Sequence, residues 1–129
     1  MNLTVLQTKI SNDFSANLQN LELLILNCEE KSFILAPELA VTGYSYNNMD
    51  LAVKYTNKAI ERFSKLSKDR TISLTLITKE KNQYFNTLHI FHKGKIIHTQ
   101  SKYKIFVLND ERKYFTPGNI EDIKIIIEF

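Results

Sequence analysis

A single cysteine, Cys28, serves the whole chain, and tryptophan is absent. One thiol forms no internal disulfide. That excludes a disulfide-stapled secreted scaffold and makes the reducing cytoplasm the expected location. Glycine is scarce at three residues and proline at two, and no low-complexity tract, internal repeat or domain linker interrupts the chain. Long apolar stretches are missing as well. Runs such as residues 23–26 and 125–127 fall far short of the roughly 20 residues that cross a bilayer. Residues 1–13 lack the basic start, apolar centre and small-residue cleavage site of a secretory leader. No membrane partner is expected. Charge of one sign is equally thin: 17 Lys and Arg face 14 Asp and Glu, a formal net charge of +3 spread without like-charge blocks. Such a mixed surface argues against a nucleic-acid partner.

What is present suits a packed core. Of 129 residues, 43% are hydrophobic and 24% charged, ordinary for a soluble globular domain or part of one. Residues 3–7 form a short apolar run suited to a buried strand. Asn12 or Asp13 then caps a helix whose apolar face is Phe14, Leu18, Leu21, Ile25 and Cys28, at spacings of three and four. Residues 32–36 read as a second buried strand ending at Pro37. Strand, helix and strand in this compass predict a parallel βαβ pair. A loop broken by Gly43 leads to a second amphipathic helix over residues 50–68, with Leu51, Tyr55, Ala59, Phe63 and Leu66 as its buried stripe. Residues 71–78 alternate and are β-branched, as a strand requires. Two further strands flank His92-Lys93-Gly94-Lys95, a hairpin signature. After a loop at Pro117-Gly118-Asn119, residues 122–129 read as a last, nearly uninterrupted apolar strand of the kind found at a sheet's centre. The order β-α-β-α-β-β-β-β is an α/β fold with a mixed sheet.

Three segments carry chemistry. In residues 33–45 a buried strand delivers Pro37-Glu38 to its carboxyl end, followed by Leu-Ala-Val and Thr42-Gly43-Tyr44. Open α/β sheets place their reactive groups at that end, and partial desolvation is expected to raise the Glu38 pKa toward a range useful for accepting protons. A lone strand-end glutamate more often caps a helix or points to water. Residues 101–106 offer two lysines: Lys102 stands three and four residues before Ile105 and Phe106, and Lys104 stands likewise before Val107 and Leu108. In residues 110–119, Glu111 precedes Phe115 and Pro117-Gly118; on sequence alone it fits an ordinary charged loop equally well.

Taken in order, these segments resemble the N-terminal half of a nitrilase-superfamily carbon–nitrogen hydrolase. Gln7, Asn17, Asn86 and the Gly94 hairpin extend the resemblance to nearly the whole chain. It implies half of a nitrilase-type α-β-β-α sandwich. It also implies Glu38 as general base, Lys102 (in better register than Lys104) as the oxyanion-stabilising lysine, and Glu111 as the accessory glutamate that orients the lysine and contacts substrate. The implied substrate is a small amide, nitrile or carbamoyl compound, handled with no cofactor and no metal. His89, His92 and His98 share no three-ligand face. Tyr44, Tyr46 and Phe106 are candidate pocket aromatics, a role in which plain packing is the commoner alternative.

The family's nucleophile is a cysteine at the end of the next strand, a position due where this sequence reaches Phe129. Cys28 matches no catalytic position of the family and reads as a buried structural thiol. Residues 1–129 are therefore expected to be a partial hydrolase domain, truncated just before the catalytic cysteine and inactive alone. Their final strand is expected to be an exposed apolar edge that attracts another copy or a complementary C-terminal fragment. The alternative is a non-catalytic binding or subunit module derived from the same fold. A third reading, nucleic-acid binding through Lys93, Lys95, Lys102, Lys104 and Tyr103, lacks a helix or aromatic sheet face to present those charges.

Overall fold

The structure, a computed structural model, describes residues 1–122. Its elements are β1 (Leu3–Val5), α1 (Phe14–Leu26), β2 (Phe33–Leu35), α2 (Met49–Leu66), β3 (Thr71–Glu80), β4 (Gln83–His92), β5 (Lys95–Ser101) and the one-turn α3 (Glu111–Tyr114), which has 3-10 turns on either side. The five strands form one sheet in the order β1-β2-β3-β4-β5. Helical crossovers make β1, β2 and β3 mutually parallel, whereas tight turns make β3, β4 and β5 antiparallel. Both tight turns place two consecutive residues at positive φ, Lys81-Asn82 and Lys93-Gly94, the backbone of a type I′ hairpin. The fold is thus the mixed α/β sheet that the sequence predicts, with the hairpin at Gly94 where expected.

Helix α1 starts on Asp13, whose side chain accepts a hydrogen bond from the Ala16 N–H at 3.0 Å. Its Leu18, Leu21 and Ile25 meet Ala59 and Phe63 of α2 over Ile34, Ile72, Leu74, Leu76 and Phe91 of the sheet. Both helices therefore cover one face. Because side chains alternate along a strand, Ser73 and Thr75 project to the other face.

Three local expectations differ from the structure. The buried stripe of α2 is Met49, Ala52, Thr56, Ala59 and Phe63, and Leu51 is exposed. Small Ala52 and Ala59 let the helix approach the sheet. The Thr56 hydroxyl is satisfied there by the Ala52 and Ile77 carbonyls at 3.2 and 2.6 Å, so a polar residue occupies a core position. Among the described residues β1 is an edge strand, and its Leu3 and Val5 are exposed rather than buried; Leu6 just beyond enters the core. Cys28 lies past the end of α1, beyond its cap Asn27, and is half-buried against the core. The strand expected over residues 122–129 lies, beyond Asp122, outside the described residues.

Candidate active site

Strand β2 ends because proline follows it. The Ala36 N–H still reaches the Ser73 carbonyl at 3.0 Å, but Pro37 has no N–H to offer and the chain turns at Glu38. Leu39 takes a positive φ, donates its N–H to the Thr75 hydroxyl at 2.7 Å, and accepts from both Thr42 and Gly43. Behind this turn Asn17 of α1 donates to the Val41 carbonyl at 2.9 Å. Glu38 is thereby held at the carboxyl end of β2 beside β3.

Lys102 is the first residue after β5. Its N–H donates to the Asn86 carbonyl at 2.8 Å and its carbonyl accepts from the Gly118 N–H at 2.9 Å, so its backbone is fixed from both sides. Gly118 packs so closely that a Cβ there would stand 2.4 Å from the Ser101 carbonyl oxygen. Glu111 opens α3, a turn of helix where a loop was expected, and its side chain is only 2% exposed.

These three side chains meet. Lys102 Nζ lies 3.0 Å from Glu38 Oε1 and 3.0 Å from Glu111 Oε1, bridging two carboxylates. Glu38 Oε1 also accepts from Asn86 Nδ2 at 2.7 Å. Glu111 Oε2 accepts from the Phe106 N–H at 2.7 Å, and the Phe106 ring lies 4.4 Å from the Lys102 ammonium. Lys104 is exposed. Glu38, Asn86 and Lys102 line a cavity of about 450 Å³ on the sheet face opposite the helices, together with Leu35, Thr75, Leu88 and Gln100. Beside it Tyr46 stacks on Tyr114 with ring centroids 4.1 Å apart, and Phe115 contacts both Tyr44 and Tyr46.

The electrostatics favour charge on both partners. Burial pushes the Glu38 carboxyl up, but hydrogen bonds from Tyr44, Lys102 and Asn86, with the lysine's charge, outweigh it and hold the group below its ordinary value. The expected rise from desolvation is thus reversed, because Glu38 collects three donors. For Lys102, burial pushes the ammonium down, and the two glutamates more than offset that, leaving it above its ordinary value. The Tyr44 hydroxyl is raised by burial and by its hydrogen bond to Glu38, so it is a donor and not a base. In the sequence Asn86 is one polar residue of a strand that extends the resemblance; the order β2-β3-β4 is what sets it against Glu38.

Cys28 is elsewhere. It precedes β2, whereas Glu38 follows it, so the two flank opposite ends of one strand. Its thiol donates to the Leu24 carbonyl at 3.2 Å, and burial raises its pKa against the opposing charge of Arg70. A protonated thiol with that placement is a poor nucleophile for this cavity. Among the described residues no group of three or more His, Cys, Asp or Glu side chains is placed to hold a metal ion. No helix among them is long and apolar enough to cross a membrane.

The profile of the carbon–nitrogen hydrolase family matches residues 2–126. None of the curated protein sequences matches the chain. Solved structures do. A carbon–nitrogen hydrolase from Helicobacter pylori G27 is similar at 21% identity and a TM-score of 0.80, over 92% of this chain and 44% of its own. A glutamine-dependent NAD+ synthetase from Acinetobacter baumannii reaches 19% identity and 0.78, over 98% of this chain and 25% of its own. An amidase of the nitrilase superfamily from Nesterenkonia AN1 reaches 18% identity and 0.76, over 92% of this chain and 48% of its own. At these identities the likeness shows the fold, and the chain spans less than half the length of each. The family match over residues 2–126, nearly the whole chain, makes the chain a member of the carbon–nitrogen hydrolase family.

Proposed function

We propose that Glu38, Lys102 and Glu111 are the base and oxyanion-binding part of a hydrolase site for a small amide, nitrile or carbamoyl group. One observation supports this reading: a single ammonium, lining a cavity at the carboxyl end of β2, sits 3.0 Å from each of two carboxylates. In the reaction a thiol loses its proton to Glu38 and its sulfur adds to the carbonyl or nitrile carbon. Lys102 donates to the oxygen or nitrogen on which negative charge collects. Glu111 holds the ammonium charged and aimed. For an amide, the amine departs with the proton that Glu38 accepted, leaving a thioester, and water activated by Glu38 then releases the acid.

Cys28 does not supply that thiol, being at the wrong end of β2. The nucleophile of this proposal comes from a residue outside these 129, in the same polypeptide or in a complementary one, and residues 1–129 by themselves release no ammonia from amides. The remoteness of Cys28 also favours a second reading, a binding or subunit module that keeps the charged site without turnover.

Sequencing the DNA downstream and expressing any cysteine-bearing continuation together with residues 1–129 separates the two. The hydrolase reading expects ammonia release from small amides. Removal of the oxyanion donor by Lys102→Met lowers kcat by about 10²–10³, and Glu38→Gln lowers it by about 10²–10⁴. An active assembly indifferent to both substitutions would refute the assignment; an inert assembly that still binds amides supports the module.

A further inference from the structure

Asn86 is 1% exposed and sits midway between strand and site. Its carbonyl accepts from Lys102 and its side-chain nitrogen donates to Glu38 Oε1 at 2.7 Å. That second bond determines the orientation of the amide group. The carboxylate is ionised and acts as an acceptor, so the Asn86 nitrogen must face it and the Asn86 oxygen must point away. The remaining atom, Asn86 Oδ1, is buried and has no hydrogen-bond partner among the described residues.

Gln100 repeats the pattern in the same cavity. Its nitrogen is committed to the Ser101 carbonyl at 2.9 Å, and Gln100 Oε1 is likewise buried without a partner. Gln100 pairs with Leu88, two residues along β4 from Asn86, which places both amides on one sheet face beside Glu38. Buried polar atoms in folded proteins nearly always have partners, and an unmet acceptor calls for a donor from whatever fills the space. Lys102 spends two of its three N–H donors on the glutamates, and the Asn86 and Gln100 nitrogens are already engaged. Among the described residues neither oxygen has a donor, and a bound ligand can bring one.

We infer that Asn86 is a positioning and substrate-recognition residue, whose nitrogen holds Glu38 and whose oxygen receives an N–H of the bound substrate, assisted by Gln100. This deepens the proposed function and rests on it, since it concerns the same cavity. The consequence is a preference within the acyl compounds. A carboxamide brings N–H donors to two waiting oxygens. An ester of the same acyl group, or a nitrile, brings none and leaves both oxygens unpaired. Sites built to hydrogen-bond a substrate N–H discriminate strongly against analogues that lack it, because the site's own polar atoms are then stranded.

Propionamide, methyl propionate and propionitrile titrated into the 129-residue chain test this, with side-chain amide and Lys102 ammonium NMR signals as the readout. The expected result is that propionamide binds at least about tenfold more tightly than either donor-free probe, with the Asn86 side-chain amide signals moving on binding. Equal binding of all three overturns the inference and leaves the hydrolase reading standing. Failure of every probe to bind overturns both. Two variants extend the test. Asn86→Leu, if folded by its backbone amide spectrum, should erase the discrimination and raise the Glu38 titration midpoint by loss of one of its donors; an unmoved midpoint refutes the positioning role. Gln100→Leu, at the less buried site, should reduce the propionamide preference while leaving the Glu38 midpoint unchanged. A Gln100→Leu preference equal to that of the unaltered chain removes Gln100 from the recognition.

Discussion

Gly118→Ala should unseat Lys102 without touching it. In the folded chain a Cβ at position 118 would meet the Ser101 carbonyl oxygen at 2.4 Å, Ser101 Cβ at 2.7 Å and the Ser101 carbonyl carbon at 2.8 Å. The first contact is about 1 Å inside ordinary van der Waals separation, and the atoms it strikes are mostly backbone, which yields less easily than the end of a flexible side chain. Segment 115–118 has to move outward. Doing so stretches the Gly118 N–H bond to the Lys102 carbonyl and the Thr116 N–H bond to the Tyr84 carbonyl, now 2.9 and 2.8 Å. Overpacking of this kind costs about 1–3 kcal/mol, and one weakened backbone hydrogen bond adds about 1 kcal/mol. A loss of about 2–4 kcal/mol is therefore expected in urea unfolding, read as a lower midpoint at unchanged slope. The Lys102 ammonium signal should shift as well, because the residue loses one of its two backbone anchors. Equal stability with an unmoved Lys102 signal would refute the claim that close packing of Gly118 on Ser101 positions the lysine.

Other substitutions probe separate links. Lys102→Met leaves the 2%-exposed Glu111 carboxylate without its cation, and stranding one member of a buried pair should cost about 3–5 kcal/mol in chemical denaturation; adding Glu111→Leu should recover part of that loss. Glu38 has a folded-state pKa below its ordinary 4.5, so its contribution to stability is present above that value and lost as pH falls through the lower folded one. Urea midpoints measured from pH 7 to pH 3 should therefore fall less steeply for Glu38→Gln than for the unaltered chain. On α2, Leu51→Ser should change stability by no more than about 0.5 kcal/mol because Leu51 is exposed, whereas Ala52→Leu should cost about 1–3 kcal/mol. The reverse ranking in thermal unfolding would restore the stripe read from side-chain size.

Much of the fold was legible because its determinants are local. The three-and-four spacing of Phe14, Leu18, Leu21 and Ile25 and a cap at Asn12 or Asp13 each involve residues within a few positions of one another; the structure buries those four and gives the cap to Asp13. The same holds for the Lys93-Gly94 turn and for the Pro37 stop, where one backbone angle or one missing N–H decides. The α2 stripe was misread for a related reason: size and hydrophobicity pointed to Leu51, but the close approach of helix to sheet selects small residues, and that distance is no property of the helix itself. Exposure of Leu3 and Val5 follows from their register with Phe33 and Leu35, which turns them to the sheet face that the helices leave uncovered, a fact an apolar run cannot announce.

The sequence by itself determined which residue types were available for chemistry, and where each lies relative to a strand end or a turn: Glu38 after Pro37, Lys102 after β5, Glu111 beside a tight Pro117-Gly118 segment. Tertiary structure alone decided which of them share a charge. Glu38 and Lys102 are 64 residues apart, and Glu38 and Asn86 are 48 apart. Their contacts exist because β2, β3, β4 and β5 lie in order, with the ends of β2 and β5 and the first half of β4 on the same side of the sheet. The direction of the Glu38 pKa shift belongs to this second class. Burial would have raised it, and the donors that lower it come from three separate parts of the chain. Electrostatic energy depends on distances in space, and those distances are set only when the sheet is assembled.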